Sequence, residues 1–286
     1  MKQENAWSFA GLWRRLTPLY DDGEARAIVR MVLEERFGFS STDIFFGRAE
    51  QLNATEQQEL ELLMARLERA EPVQYVLGEA EFCKRKFSVN RHVLIPRPET
   101  QWMCESVSSW WGVTPREGHI LDIGTGSGCI ACTMALDLVP RPVEVVGWDL
   151  SEEALRVARI NAARLGADVT FLQQDALNPP DDVQRWDIIV SNPPYVCEQE
   201  RSQMASNVLD YEPAMALFVP DDDPLLFYRA IGRYAFRALK TDGQLLMEIN
   251  AQLGDATVQL FREQGYADVQ LYCDAYEKNR FVLASR

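Results

Sequence analysis

Residues 119–128 read HILDIGTGSG, and the next apolar run, VEVVGWD at 143–149, ends on Asp149. Ile120 to Ile123 has the texture of a strand, Gly124, Gly126 and Gly128 turn the chain, and Ser127 to Leu138 carries a helical pattern. The same alternation continues outward. Val143 to Trp148 is strand-like, Glu152 to Leu165 helical and Val169 to Leu172 strand-like, and Trp186 to Ser191 and Gln244 to Ile249 add strands bounded by Pro, Gly or acidic turns. Strand and helix in alternation predict a mainly parallel sheet covered by helices on both faces. Ligands of such sheets sit beyond the carboxyl ends of the strands, where strand order reverses.

The glycine spacing is G-x-G-x-G, because the third position of the dinucleotide fingerprint falls on Cys129. That disfavours a pyrophosphate loop, and no Lys-Ser or Lys-Thr pair follows to make a nucleotide-hydrolysing loop. Glycines there still let the backbone approach a ligand closely. Asp149, at the end of the second strand, can accept hydrogen bonds from both hydroxyls of a ribose. With Asp122 it places negative charge around the site, which suits a cationic ligand better than a diphosphate. S-adenosylmethionine has a ribose, an adenine and a sulfonium but no phosphate. An ordinary tight turn flanked by surface acids is the plainer alternative.

The strand Asp187 to Val190 runs into Ser191-Asn192-Pro193-Pro194-Tyr195. Two prolines after a strand form a rigid stop, yet these residues also suit a reaction. The side-chain carbonyl of Asn192 and the main-chain carbonyl of Pro193 can take both hydrogens of a planar NH2 group, and Tyr195 can stack on its π-system. An amide nitrogen is a poor nucleophile because its lone pair is delocalised. Two acceptors at fixed angles orient it and favour a more tetrahedral transition state, with proximity lowering the barrier further. The methylated nitrogen is cationic and very acidic and loses its proton to water or a weak acceptor without a strong base, which fits a site with no histidine.

Ahead of this region, residues 1–71 have apolar positions at helical spacing. Leu60, Leu63, Met64 and Leu67 fall at i, i+3, i+4 and i+7, and Thr55 stands where a cap would. A small bundle of about four helices is expected, followed at 72–97 by a hairpin linker built from Gln74 to Val76, Glu81 to Val89 and Val93 to Ile95, and at 98–286 by the larger domain. The basic run Lys84, Arg85, Lys86 reads as a solvated turn at the hairpin tip. Of the 286 residues, 47% are hydrophobic and 25% charged, as in ordinary globular proteins. No run is long and apolar enough to span a bilayer, and MKQENAWSFAGLWRRL lacks the layout of a secretory signal; a cytoplasmic location is expected. The formal net charge of −14 opposes non-specific binding to a phosphate backbone. Cys129 and Cys132 make a lone C-x-x-C without a second pair, which reads as small thiols on a buried helix face, and no metal site is expected.

Taken together, Asp122 to Gly128, Asp149, Gln174-Asp175 and Asn192 to Tyr195 resemble a class I S-adenosylmethionine-dependent methyltransferase acting on a planar amino or amide nitrogen. Glu71 to Gly78 (EPVQYVLG), Leu94 to Thr100 (LIPRPET) and Tyr211 to Leu217 (YEPAMAL) narrow the resemblance to the HemK/PrmC family of release factor glutamine methyltransferases. It covers nearly the whole chain. It implies a Rossmann-like, seven-stranded, mostly parallel sheet with a small N-terminal helical domain that helps engage the protein substrate. It further implies that Gly124, Thr125, Gly126, Ser127 and Gly128 hold the methionine part of S-adenosylmethionine, Asp149 the ribose, and Asp175 with Ala176 the adenine region. Asn192 would touch cofactor and substrate, and Asn192, Pro193, Pro194 and Tyr195 would grip the target. That target would be the glutamine of the Gly-Gly-Gln loop of class-1 peptide chain release factors, so the expected role lies in translation termination. Arg97, Glu99 and Thr100 would shape the entrance, with an Arg-Glu pair and a helix cap as the plainer alternative. Asn250 after the Met247-Glu248-Ile249 strand, Ala176, and the acidic run Asp221 to Asp223 depart from the family pattern.

Three other readings stand beside this one. A sister family that methylates a ribosomal protein glutamine shares Asn-Pro-Pro-Tyr but tends to carry Arg-Ser-Pro where this chain has Arg97-Pro98-Glu99-Thr100. A nucleic acid methyltransferase would use the same four residues on an extruded base, against which stand the acidic charge and the lack of a basic recognition segment. A non-catalytic scaffold that binds S-adenosylmethionine would have little use for an intact Asn192 and Tyr195.

Overall fold

The computed structural model describes residues 5–111 and 117–286. They form two compact units, one reaching to Glu79 and recruiting Ala205–Tyr211, the other comprising Ala80–Met204 and Glu212–Arg286. The first unit contains α1 (Phe9–Arg14), α2 (Asp22–Phe37), α3 (Ser41–Phe45), α4 (Ala54–Leu67) and α5 (Val73–Leu77). Their apolar stripes meet in a core that includes Leu12, Leu16, Val29, Leu33, Leu60, Met64 and Leu67, with Leu63 packed at its edge. The cap of α4 differs from expectation. Asn53, not Thr55, accepts from the Thr55 and Glu56 amides, while Glu56 reaches back to the Asn53 amide in a capping box.

Residues 74–76 correct the sequence reading more substantially. They belong to a helix, not to a hairpin strand, because Gly78 in the left-handed region ends α5 and Val73 and Val76 fill the helical core. Arg66 completes the arrangement by donating to the carbonyls of Tyr75 and Val76 while paired with Glu71. The expected linker segment at 72–97 therefore divides, its first residues helical and packed in the first unit. Val93 to Ile95 also form no strand. The hairpin itself is β1 (Glu79–Phe82) with β2 (Arg85–Ser88), and its basic turn is tied down where Arg85 pairs with Asp137.

The second unit continues with α6 (Gln101–Trp111), β3 (Gly118–Ile123), α7 (Cys129–Asp137), β4 (Val143–Asp149), α8 (Glu152–Leu165), β5 (Val169–Gln173) and β6 (Trp186–Ser191). A small pair, β7 (Val196–Cys197) and β8 (Phe218–Val219), brackets α9 (Ser206–Tyr211), which belongs to the first unit. Then come α10 (Leu226–Ala238), β9 (Leu239–Glu248), α11 (Gly254–Glu263), β10 (Asp268–Cys273) and β11 (Asn279–Ser285). Seven strands form one sheet in the order β10-β11-β9-β6-β3-β4-β5, parallel except that β11 runs antiparallel to both of its neighbours.

Both faces are buried, as a parallel sheet with crossover helices requires. Ile120, Val145, Ile188 and Val190 point into one core with α6, α7 and α8. Leu121, Val146, Ile189 and Leu245 point into the other with α10 and α11. Chain order runs from β3 to β4 and β5 on one side, then returns to β6 on the other, so the switch point lies between β3 and β6.

Asn53→Ala should lower the stability of the helical unit by about 1 kcal/mol, whereas Thr55→Ala should change it by under about 0.5 kcal/mol. Hydrogen exchange of the α4 amides in the full chain measures both.

Candidate active site

Pairing of β3 with β6 sets Ile123 beside Ser191, whose hydroxyl donates to the Ile123 carbonyl at 2.7 Å. The next residue on each strand is therefore Gly124 on one side and Asn192 on the other. The two motifs that sequence reading singled out thus open into the same cleft, of about 1070 Å³ to its solvent-facing mouth, which lies wholly within the second unit. The glycine loop leaves β3 with the Gly124 and Thr125 amides donating to the Trp148 carbonyl. Gly126 needs its glycine for a φ of +54°, and nothing lies within 4 Å of where a Cβ would stand, so the backbone there is open to a ligand. Gly128 serves another purpose. Its φ is +77°, and a Cβ would press on Ala158 at 3.1 Å and Phe171 at 3.2 Å, so this glycine allows close packing beneath the loop and does not line the cleft.

The two acids expected to face the ligand have different positions. Asp149 lines the cleft, with Oδ2 accepting from the Gly126 amide and Oδ1 from the Ser151 amide, each at 2.9 Å. A carboxylate has about four lone-pair sites, so two remain for hydroxyl donors. Burial pushes its pKa up, and the backbone donors pull the other way. Asp122 corrects the sequence expectation, for it is fully buried and absent from the cleft wall. Its Oδ2 accepts from the Thr125 hydroxyl at 2.7 Å and the Ala131 amide at 3.2 Å, bracing the loop from below. Burial pushes Asp122 up to about 7, and the hydrogen bonds from Thr125 and Ala131 oppose that rise.

Beyond β6, Asn192, Pro193 and Pro194 line the cleft, and the Asn192 Nδ2 donates to Thr100 Oγ1 at 3.3 Å. Thr100 in turn donates to Glu248 Oε2 at 2.7 Å, while the Tyr195 hydroxyl donates to Glu248 Oε1 at 3.0 Å. Tyr195 is thereby drawn behind the wall. Its ring packs against the second core and its amide donates to the Leu217 carbonyl, so it anchors the loop. Asn250, a departure from the family pattern, is a strap: its Nδ2 donates to the Tyr195 carbonyl and to Glu200, and its amide donates to the Tyr228 hydroxyl.

The facing wall is locked by a residue that sequence reading did not single out. Glu212 is buried and accepts from the Ile95 amide at 3.1 Å and from Arg97 at 2.6 Å, so the Arg97 partner is Glu212 and not Glu99. Gly124, Thr125, Gly126, Ser127, Asp149, Asp175, Ala176, Asn192, Pro193 and Pro194 share the cleft; Gly128 and Tyr195 stand behind it. Asp175 spends its oxygens on the Leu177 amide and the Asn178 side chain, shaping the turn that presents Ala176. His92 also lines the cleft, which corrects the expectation of a site without a histidine. Leu150, Phe227 and Ile231 supply apolar wall. Cys129 and Cys132 are buried, and burial pushes the Cys132 thiol up to about 12 and Cys129 higher still, which keeps both protonated.

These walls fit S-adenosylmethionine. A carboxylate with spare acceptor sites stands at the end of β4, open glycine backbone lies beside it, apolar side chains offer a face for an aromatic ring, and the single arginine on the wall is paired with Glu212. No lysine is present among the lining residues to hold a phosphate. Fold and site together define a class I S-adenosylmethionine-dependent methyltransferase, and S-adenosylmethionine is its methyl donor.

Comparison with known proteins agrees. Residues 14–78 match the PrmC N-terminal domain and residues 116–278 a methyltransferase domain. The release factor glutamine methyltransferase of Bacteroides thetaiotaomicron is 42% identical, over 95% of this chain and 96% of that protein, and that of Flavobacterium psychrophilum is 38% identical over 93% and 94%. The chain belongs to the release factor glutamine methyltransferase family. Among solved structures, the catalytic domain of hMettl16 in complex with the MAT2A 3′UTR hairpin 6 superposes with a TM-score of 0.52 at 16% identity, covering 70% of this chain and 74% of that one, a likeness of fold.

Two measurements check the acids. An Asp held near 7 in the fold but near its ordinary value when unfolded contributes stability that is fully present below about 4 and is lost as pH rises through about 7. Urea unfolding should therefore show wild type losing roughly 1–3 kcal/mol relative to Asp122→Asn between pH 5 and pH 7.5; parallel curves would contradict the buried-acid picture. Asp149→Ala should weaken S-adenosylmethionine binding about 10- to 100-fold in calorimetry, the scale of lost charge-assisted hydrogen bonds.

Proposed function

We propose that this protein transfers a methyl group from S-adenosylmethionine to the side-chain amide nitrogen of the glutamine in the Gly-Gly-Gln loop of class-1 peptide chain release factors, in the cytoplasm. The observation that carries the reading is that Asn192, with its Nδ2 committed to Thr100, turns its Oδ1 away from that partner and shares one cleft with the glycine loop and Asp149. The names of the relatives supply the substrate class. Among the described residues no helix is long and apolar enough to cross a membrane.

When bound, S-adenosylmethionine supplies an electrophilic methyl group on a positively charged sulfur. The residues of the chain then have three tasks. Asp149 would hold the ribose and the open backbone at Gly126 the methionine part. Asn192 Oδ1 and the Pro193 carbonyl accept the two amide hydrogens, which turns the nitrogen lone pair toward the methyl carbon and favours pyramidal nitrogen. Transfer to that nitrogen would leave the cofactor's sulfur neutral, and the nitrogen would release one proton toward the open mouth of the cleft. A strong base beside the nitrogen is not required, because the amide nitrogen that has gained a methyl and still holds both hydrogens is cationic and strongly acidic.

Electrostatics and the wall sequence support this reading over its competitors. The net charge of −14 gives a nucleic acid backbone no general attraction, and Arg97-Pro98-Glu99-Thr100, whose Arg97 is clamped by Glu212, differs from the Arg-Ser-Pro expected of a ribosomal protein methyltransferase. Incubation with labelled S-adenosylmethionine and, separately, a class-1 release factor, ribosomal proteins and DNA or ribosomal RNA tests the assignment. Label is expected on the release factor and lost when its target glutamine is replaced; label on nucleic acid alone would reject it. Asn192→Ala should lower turnover by about 10²–10³, the scale of one lost transition-state partner, while the Kd for S-adenosylmethionine changes far less. Equal losses in turnover and in calorimetry would contradict the division of roles.

A further inference from the structure

Glu248 ends β9, a strand otherwise apolar through Leu245, Leu246 and Met247 and continued by Ile249, and it is 1% exposed. It does not line the cleft. A carboxylate in such a place costs free energy unless each oxygen is satisfied. Both oxygens are, by hydroxyl donors: Thr100 at 2.7 Å and Tyr195 at 3.0 Å. Burial pushes its pKa up, while the two hydroxyls and the positive charge of Arg280 oppose that rise.

The polarity of these bonds has a consequence for the cleft. A threonine hydroxyl carries a single proton, and Thr100 gives it to Glu248. Toward Asn192, Thr100 Oγ1 can then only accept, so it is met by the Asn192 Nδ2. Rotating the carboxamide by half a turn would set Asn192 Oδ1 against an oxygen lone pair with no proton between them. A carboxylate that does not line the cleft therefore decides which end of Asn192 faces away from Thr100. Tyr195 works in the same sense, because its hydroxyl bond to Glu248 holds the far end of the Asn192–Tyr195 loop.

We propose that Glu248 is a positioning residue that acts through Thr100 to fix the Asn192 carboxamide with its oxygen as the acceptor, and that this polarity makes the site select an NH2 group over a carboxylate at the target position. The proposal rests on the reading of Asn192 as acceptor for the glutamine amide. Thr100→Val removes the hydroxyl at nearly constant volume, Thr100→Ser keeps it, and Glu248→Gln keeps the shape of the anchor while making one of its ends a donor.

The test measures kcat and KM with labelled S-adenosylmethionine and a class-1 release factor, the Kd for S-adenosylmethionine by calorimetry, and inhibition by a release factor whose target glutamine is replaced by glutamate. Thr100→Val should lose kcat on the order of 10- to 100-fold, the scale of removing an outer hydrogen-bond partner, with KM and the cofactor Kd changed less than about threefold. Thr100→Ser should restore kcat. Glu248→Gln should lose kcat similarly and bind the glutamate-bearing release factor more tightly relative to wild type, because a turned amide offers NH2 to a carboxylate. Folded Thr100→Val with wild-type kcat, or a Thr100→Ser loss equal to that of Thr100→Val, would overturn the proposal. If Glu248→Gln fails to fold, the Thr100 pair decides alone. A wild-type enzyme that labels no release factor would overturn the functional reading and the positioning with it, whereas label from wild type with unchanged variants sinks only the positioning.

Discussion

Register between two parallel strands governs this site. Ile123 and Ser191 are neighbours in the β3–β6 ladder and are tied again by the Ser191 hydroxyl, so the loop that follows one strand must face the loop that follows the other. A one-residue slip in a sheet with side-chain period two would exchange the faces of Ile189 and Val190 and carry Asn192 away from Gly124. Two packed cores, one on each face, make that slip costly. The precision of the cleft is thus inherited from apolar packing that never touches it.

Around this frame, buried polar groups determine which way the functional atoms point. Asp122 braces the glycine loop through the Thr125 hydroxyl and the Ala131 amide, Glu212 joins the 95–97 wall to the segment after Tyr211, and Glu248 receives both Thr100 and Tyr195. Each is a carboxyl group with little or no exposure to solvent. Each ties groups from separate segments together through directional hydrogen bonds, which a purely apolar contact would not orient. Asp149 and Asp175, by contrast, combine backbone anchoring with a place on the cleft wall. The acids of the site therefore divide into two on the cleft wall and three buried ones that fix geometry.

Much of the fold was legible along the chain. Strand and helix alternate with clear apolar periods from His119 to Leu172, and α8 and β6 lie where those periods put them. Legibility ended where a residue's surroundings come from distant sequence. Residues 74–76 have strand-like composition, yet Gly78 and the packing of Val73 and Val76 make them helical. Thr55 is an acceptable cap, but Asn53 reaches two amides and completes a reciprocal pair with Glu56. Glu248 carried a signal that could have been weighed, an acid set within an apolar strand; its partners Thr100 and Tyr195 lie 148 and 53 residues away and could not be inferred from spacing.

By itself the sequence determined the chemical vocabulary of this protein: a glycine turn without phosphate-binding lysine, an acid at a strand end, and an Asn-Pro-Pro-Tyr stop with acceptors suited to an NH2 group. Those features are local, because backbone freedom at glycine, rigidity at proline and the donor or acceptor nature of a side chain travel with the residue. Only the tertiary structure decided that Asp122 faces inward, that Tyr195 is anchored to Glu248, that His92 reaches the cleft and that Asn192 is held through Thr100 by Glu248. Those outcomes depend on burial and on hydrogen-bond partners brought together by the sheet, and neither quantity belongs to a residue until the chain has folded around it.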